Sequence, residues 1–319
     1  MTALALLKPH PHRGDTVAAG VVVLTLFTVL VDSRMAGSWS ELVRLLFTLA
    51  VAVPVAVMAV QADSGDAAPR PYESILHVCS WLLTVITIGL LADNLGAEGG
   101  SGSTTWVGTL VALDALWFAR RRTSAIMTLL AALTGVVVVL AAIDWILEIN
   151  SPSDVEWILL VCAIALTLGA VSQRDARRRH AVSLVDAAGI TAFALGLIVL
   201  VAGFVGQLAS VFGRGFALDG ESAPGTGGVG DVGGTGWEIV LLTFGFGLIA
   251  YGSVDRERVP QFIGIGVLLT FLIQALWPGG DGPSLVGWPI VLLVLAGGLL
   301  AIGLRPRRDL PPEPEVPHG

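Results

Sequence analysis

Charge is scarce in this chain. Only 13% of its 319 residues are Asp, Glu, Lys or Arg, about half the share of a soluble domain. Lysine is nearly absent: Lys8 is the one example, against seventeen arginines. With Lys8 ahead of the first apolar run, no Schiff-base lysine lies within a span and no Walker A lysine follows a glycine loop. Cysteine is limited to Cys79 and Cys162, in different apolar runs, so neither a disulfide framework nor a cysteine metal site is expected. Histidine numbers five, and His77 alone lies inside an apolar run. No G-x-S-x-G, H-E-x-x-H or S-x-x-K occurs, so chemistry that needs a positioned nucleophile and base has no visible candidate. An intramembrane enzyme is therefore a distant third reading, and no catalytic residue, metal or cofactor is expected.

What is abundant is apolar. Residues of the AVILMFWYC set make up 54% of the chain, glycine adds 39 residues, and mean hydropathy is +0.81. So few charges cannot cover so much apolar surface in water, and the sequence reads as an all-α polytopic transmembrane bundle. A span needs about 20 apolar residues. Ten are expected: 16–32, 41–60, 74–92, 104–120, 123–147, 156–173, 181–211, 237–253, 259–277 and 285–304. They form a single domain, 1–304, with a Gly-rich outer loop over 212–236 and a Pro-rich acidic tail over 305–319. Arginine in place of lysine, with abundant Ala, Gly and Val, points to a GC-rich genome.

Short loops rich in Arg and Lys stay cytoplasmic. Arg120–Arg122, Arg174 with Arg177–Arg179, Arg256 with Arg258, and Arg305 with Arg307 and Arg308 each follow an even-numbered span. Together with Lys8, Arg13 and Arg70 they put 15 of 18 basic residues on one side. Both termini are thus expected in the cytoplasm. Trp39, Trp106, Trp157, Trp237 and Trp288 open the even-numbered spans as outer interface anchors. The recurring order of Trp, apolar run and Arg cluster fits an internal repeat, or simply the anchor and stop every inward helix needs; the irregular spacing favours the second. Lys8 and Arg13 before a short apolar run also allow a cleaved signal peptide, although no A-x-A site follows.

Ionisable groups inside spans are costly and mark function by default. Asp114, Asp186 and His77 are the candidates for an intramembrane polar relay, all expected in the cytoplasmic third. The competing reading pairs Asp114 with Arg121 and Asp186 with Arg179, each seven residues away on the same face. Asp144, Glu148, Asp154 and Glu156 cluster at the outer end of the fifth and sixth spans and read as a solvated rim, and Glu41 with Arg44 as a local pair. Gly189, Gly196 and Gly203 recur every seven residues, a helix-packing row or a sliding surface. Pro54 interrupts the second span and kinks it. Gly225, Gly227 and Gly230 fit G-x-G-x-x-G, but with no strand before them and on the outer side they do not read as a nucleotide site.

The block WEIVLLTFGFGLIAYGSVDRERVPQFIGIG followed by GPSLVGWPIVLLVLAGGLLAIGLRPRR, residues 237–308, resembles the carboxyl-terminal part of uncharacterised multi-pass inner-membrane proteins of high-GC bacteria. The resemblance covers 72 of 319 residues. It implies an inner-membrane location and carries no activity. Span count and orientation are similar to the drug/metabolite transporter superfamily, without any of its motifs, which is a fold-level analogy. The expected partners are the lipid bilayer and a partner membrane protein, not nucleic acid or nucleotide. The leading expectation is a non-catalytic scaffold or complex subunit; the alternative is a small-solute or ion-coupled permease that uses Asp114, Asp186 and His77.

Overall fold

The computed structural model describes residues 14–62, 70–97, 99–149, 151–216 and 235–275. Among these every regular element is a helix: α1 (Gly14–Met35), α2 (Glu41–Gln61), α3 (Pro71–Asn94), α4 (Ser101–Arg122), α5 (Ala125–Leu147), α6 (Pro152–Gln173), α7 (Arg178–Phe216), α8 (Thr235–Asp255) and α9 (Arg258–Ala275). They coincide with the first nine expected spans. The tenth span at 285–304, Trp288, the tail 305–319 and the glycines of 217–234 lie outside the described residues.

Seven of the helices are long and apolar enough to cross a membrane, which marks the chain as an integral membrane protein. Two of the described helices fall outside that seven. α4 fails on hydropathy, because its first half carries Ser101, Ser103, Thr104, Thr105 and Thr109. α9 is apolar but short as far as it is described. The hydroxyls of α4 do not stay bare: Thr105 and Thr109 each donate to the carbonyl four residues back, at 2.7 and 2.6 Å. Thr28, Thr84, Thr134, Thr167 and Thr191 do the same in other helices. A buried hydroxyl in an apolar medium needs a partner, and its own helix supplies one.

Helix ends are set by local chemistry. The Ser151 side chain accepts from the Asp154 N–H at 3.2 Å with Pro152 at the first helical position of α6. Thr123 and Glu148, at φ 48° and 49°, stop α4 and α5 in the left-handed region. Short turns then lay successive helices side by side, α4 on α5, α6 on α7 and α8 on α9 most extensively.

Packing divides into a cluster of α1–α5, around Val55, Leu76, Leu83, Ala115 and Met127, and a cluster of α6–α9, around Ala192, Leu241 and Val267. A third cluster, Val136, Leu159, Cys162, Leu195 and Val199, joins α5, α6 and α7. α7 packs on α5, α6, α8 and α9 and is the common wall of the second half.

Glycine makes that wall close. A Cβ on Gly189 would stand 2.8 Å from Ile263 Cγ2, and one on Gly196 2.6 Å from Thr270 Oγ1. Gln274 Nε2 donates to the Gly196 carbonyl at 2.9 Å. Gly203 continues the row along α7, but its surroundings lie outside the described residues. Between α8 and α9 backbone meets backbone: a Cβ on Gly264 would lie 2.7 Å from the Gly245 carbonyl oxygen.

At the other end of the molecule the α1–α2 hairpin is closed by charge. Arg44 Nε lies 2.7 Å from Asp32 Oδ1 and its Nη2 2.9 Å from Oδ2, a two-pronged bond. This corrects the expected Glu41–Arg44 pair. The antiparallel return of α2 brings Arg44 opposite the last turn of α1, and the planar fork takes the carboxylate that it can meet with both prongs.

Two outcomes follow in thermal unfolding of the detergent-solubilised protein. Gly264→Ala lowers stability by about 1–3 kcal/mol, the usual cost of overpacking. Gly247→Ala, whose Cβ meets nothing within 4 Å, leaves it unchanged. A double-mutant cycle of Asp32→Asn with Arg44→Gln gives a coupling of about 1–2 kcal/mol, and one of Glu41→Gln with Arg44→Gln gives none.

Candidate functional site

His77 is fully buried on α3, with its ring 5.0 Å from that of Phe118 on α4. Asp114 lies one turn before Phe118, half-buried, and its Oδ2 has no hydrogen-bond partner. Both belong to the first half of the bundle. Asp186 belongs to the second: it is buried on α7, its Oδ1 lacks a partner, and the charged residue that acts on it is Glu257 in the α8–α9 turn. The structure therefore groups His77 and Asp114 on adjoining helices and sets Asp186 apart, on a helix whose packing partners are α5, α6, α8 and α9.

The expected local pairs do not form either. Among the described residues neither Asp114–Arg121 nor Asp186–Arg179 is an ion pair. Arg121 folds back over the Trp117 ring, 5.7 Å from its centroid, an attraction that costs the guanidinium little hydration. The arginines that do bind carboxylate reach across helices. Arg174 Nη2 is 3.0 Å from Asp255 Oδ1, and Arg178 Nη2 donates to the Asp255 carbonyl at 2.9 Å. These links, 81 and 77 residues apart, leave no mark in local spacing.

At the tryptophan-bearing end, Trp39 and Trp106 are about one-third exposed and Trp157 more than half. Trp157 and Trp237 pair with ring centroids 5.0 Å apart. Their chain neighbours are unexpected. Glu156 is 1% exposed and its Oε1 has no partner, which overturns the solvated-rim reading for that residue. Glu238 is also buried, with Oε2 unpartnered. Each precedes or follows one of the paired indoles in the chain; Glu238 lies in the first turn of α8, where a helix N-terminus tolerates a carboxylate, and Glu156 lies just past the first turn of α6. Asp154 stays exposed and Asp144 Oδ1 accepts from the Ile149 N–H at 3.2 Å.

Two crevices open between helices. One, about 470 Å³, lies among α3, α4 and α5 and is almost wholly apolar; Trp81 lines it from α3, and Asp93 and Thr104 stand toward the tryptophan-bearing end. Trp81 Nε1 is buried with no hydrogen-bond partner. The other, about 540 Å³, runs between α4–α5 and α6–α7 toward the arginine-bearing end. Neither is lined by His77, Asp114 or Asp186. Among the described residues no three of His, Cys, Asp and Glu converge as metal ligands.

Comparison with known proteins finds no matching family model, no similar curated protein and no similar solved structure.

A carboxylate buried without a bond partner costs stability. Asp114→Leu, set between Leu113 and Leu116, therefore raises stability by about 1 kcal/mol or more, as replacing buried charge by apolar groups often does. Thermal unfolding checks this, and a lower Tm would mean that the carboxylate is held by the fold.

Proposed function

We propose that the chain is a non-catalytic subunit or scaffold of the inner membrane of a high-GC bacterium, with both termini in the cytoplasm. The observation that carries the reading is the separation of the intramembrane polar groups. A coupled permease needs its ionisable side chains around a shared cavity, whereas Asp186 stands on α7 beside one packing cluster and His77 and Asp114 on α3 and α4 beside another, and both crevices pass all three by. Orientation rests on the arginine clusters at one end and the tryptophans at the other. Apolar side chains on the outward faces, such as Phe27 and Leu30 of α1 and Val161 and Leu168 of α6, give surface for lipid or for the helix of a partner.

One observation favours a permease instead. Asp114 Oδ2 and Asp186 Oδ1 are buried without partners, the state of a carboxylate that waits for a proton or a cation.

Proteoliposomes holding the full chain, loaded with a pH-sensitive dye and given a proton or sodium gradient, separate the two. The expected result is flux equal to that of empty vesicles, together with a particle heavier than a single chain when the protein is extracted directly into nanodiscs. Flux above background that Asp114→Asn or Asp186→Asn abolishes would establish the permease and overturn the proposal.

A further inference from the structure

We propose that the groove between α4–α5 and α6–α7 is a binding site for an anionic phospholipid, with Arg120 and Arg177 on the headgroup phosphate. The groove has the two parts that such a ligand needs, in the right order. Its mouth, at the arginine-bearing end, carries Arg120 from the end of α4, Arg177 from the α6–α7 turn, and Gln173 from the end of α6. Its depth is apolar, walled by Leu113 and Leu166 among others.

Length supports the match. From Arg120 to Thr109 the groove follows eleven residues of α4, about 16 Å at 1.5 Å per residue. That is half of the ~30 Å hydrocarbon core, or one leaflet. A free phosphate would use the mouth alone and leave the apolar depth empty.

Charge supports it too. Arg174 and Arg178 are held by Asp255, and Arg121 by Trp117. Arg120 and Arg177 form no ion pair among the described residues, and both are exposed at the groove. Asp175, the acidic residue of the same turn, is exposed and does not line the groove. Basic pockets between transmembrane helices are where anionic headgroups bind.

The site is also built rather than incidental. His180 Nδ1 and Thr128 Oγ1 are hydrogen-bonded at 2.5 Å, tying the start of α7 to the start of α5. Both residues line the groove. Gly135 on α5 opens it further: a Cβ there meets nothing within 4 Å, so the missing side chain leaves space that the fold does not otherwise fill.

The test uses the full chain in nanodiscs and in mild detergent, with retained lipid measured by native mass spectrometry and Tm measured as lipid is added. Phosphatidylglycerol is the anionic probe, phosphatidylethanolamine the zwitterionic control and inorganic phosphate the headgroup without a chain. The wild-type protein is expected to retain phosphatidylglycerol over phosphatidylethanolamine and to gain Tm from it alone. Arg120→Gln with Arg177→Gln weakens this binding about 25-fold, about fivefold for each arginine near a charged surface. Gly135→Leu fills the depth and abolishes retention while leaving both arginines in place. Arg179→Gln, outside the groove, changes nothing.

Three results would overturn the proposal. Equal retention of the two lipids by the wild type is one, and it needs no variant to fold. A Tm gain from inorganic phosphate as large as that from phosphatidylglycerol would make the mouth a small-anion site. Loss in the arginine variant but not in Gly135→Leu would reduce the effect to general surface charge.

Discussion

The closeness of α7, α8 and α9 is the contact on which the second half of the molecule depends. Between helices in lipid there is no water to expel, so attraction comes from short-range packing and from polar contacts. Dispersion falls off within an ångström of the optimum separation, and side chains at the crossing points would hold the backbones apart. Gly189, Gly196, Gly245 and Gly264 remove that obstacle, and the neighbouring Ile263, Leu268 and Thr270 take the space. Only at this separation does Gln274 reach a helical carbonyl on α7. The turn between α8 and α9 is then placed beside the start of α7, where Asp255 meets Arg174 and Arg178. α7 also faces α5, so the same wall fixes His180 against Thr128 and sets the width of the groove.

How much of this was legible in the sequence follows from the range of each interaction. Spans are runs of some twenty residues with a single physical cause, the apolar solvent, and nine of the ten expected are described helices. α4 shows where the cause weakens: its Ser and Thr hydroxyls are satisfied by their own helix, so it forms while falling short in hydropathy. Pairing is different in kind. Glu41 is three residues from Arg44 and Asp32 is twelve, yet the guanidinium goes to Asp32, because a hairpin rather than a helix turn sets the approach. Spacing seven on one helix likewise predicted carboxylates beside Arg121 and Arg179, and the arginines found an indole or open solvent instead. The burial of Glu156 had no local signal: four positions of one acidic cluster look alike in the sequence, and only tertiary packing sets Glu156 apart from the exposed Asp154.

The unpartnered carboxylates and the two crevices stand in opposition. Asp114 and Asp186 are the groups that a proton or ion pathway would use, and the crevices are the volume that it would occupy, yet they do not meet. In a transporter the cost of an intramembrane charge is offset by solute or water at the same place. Here the crevices are lined by aliphatic groups and, at their ends, by polar residues that do not reach those carboxylates. What fits such volumes is hydrocarbon, and hydrocarbon is what surrounds the protein.

Arginine carries two jobs in this chain, and the structure separates them. As stop signals the clusters need only be positive and near the ends of spans, and any arginine would serve. Within one cluster, however, Arg174 and Arg178 turn toward Asp255 while Arg177, in the turn between α6 and α7, lines the groove. Likewise Arg121 lies on Trp117 while Arg120 lines the groove. Neighbouring arginines thus divide between those held by the fold, across helices or on an indole of their own helix, and those facing the crevice between the two halves of the bundle. A topology rule predicts the number of positive charges at that end but is indifferent to this division, and the direction of each side chain is what converts a stop signal into a place where a phosphate can sit.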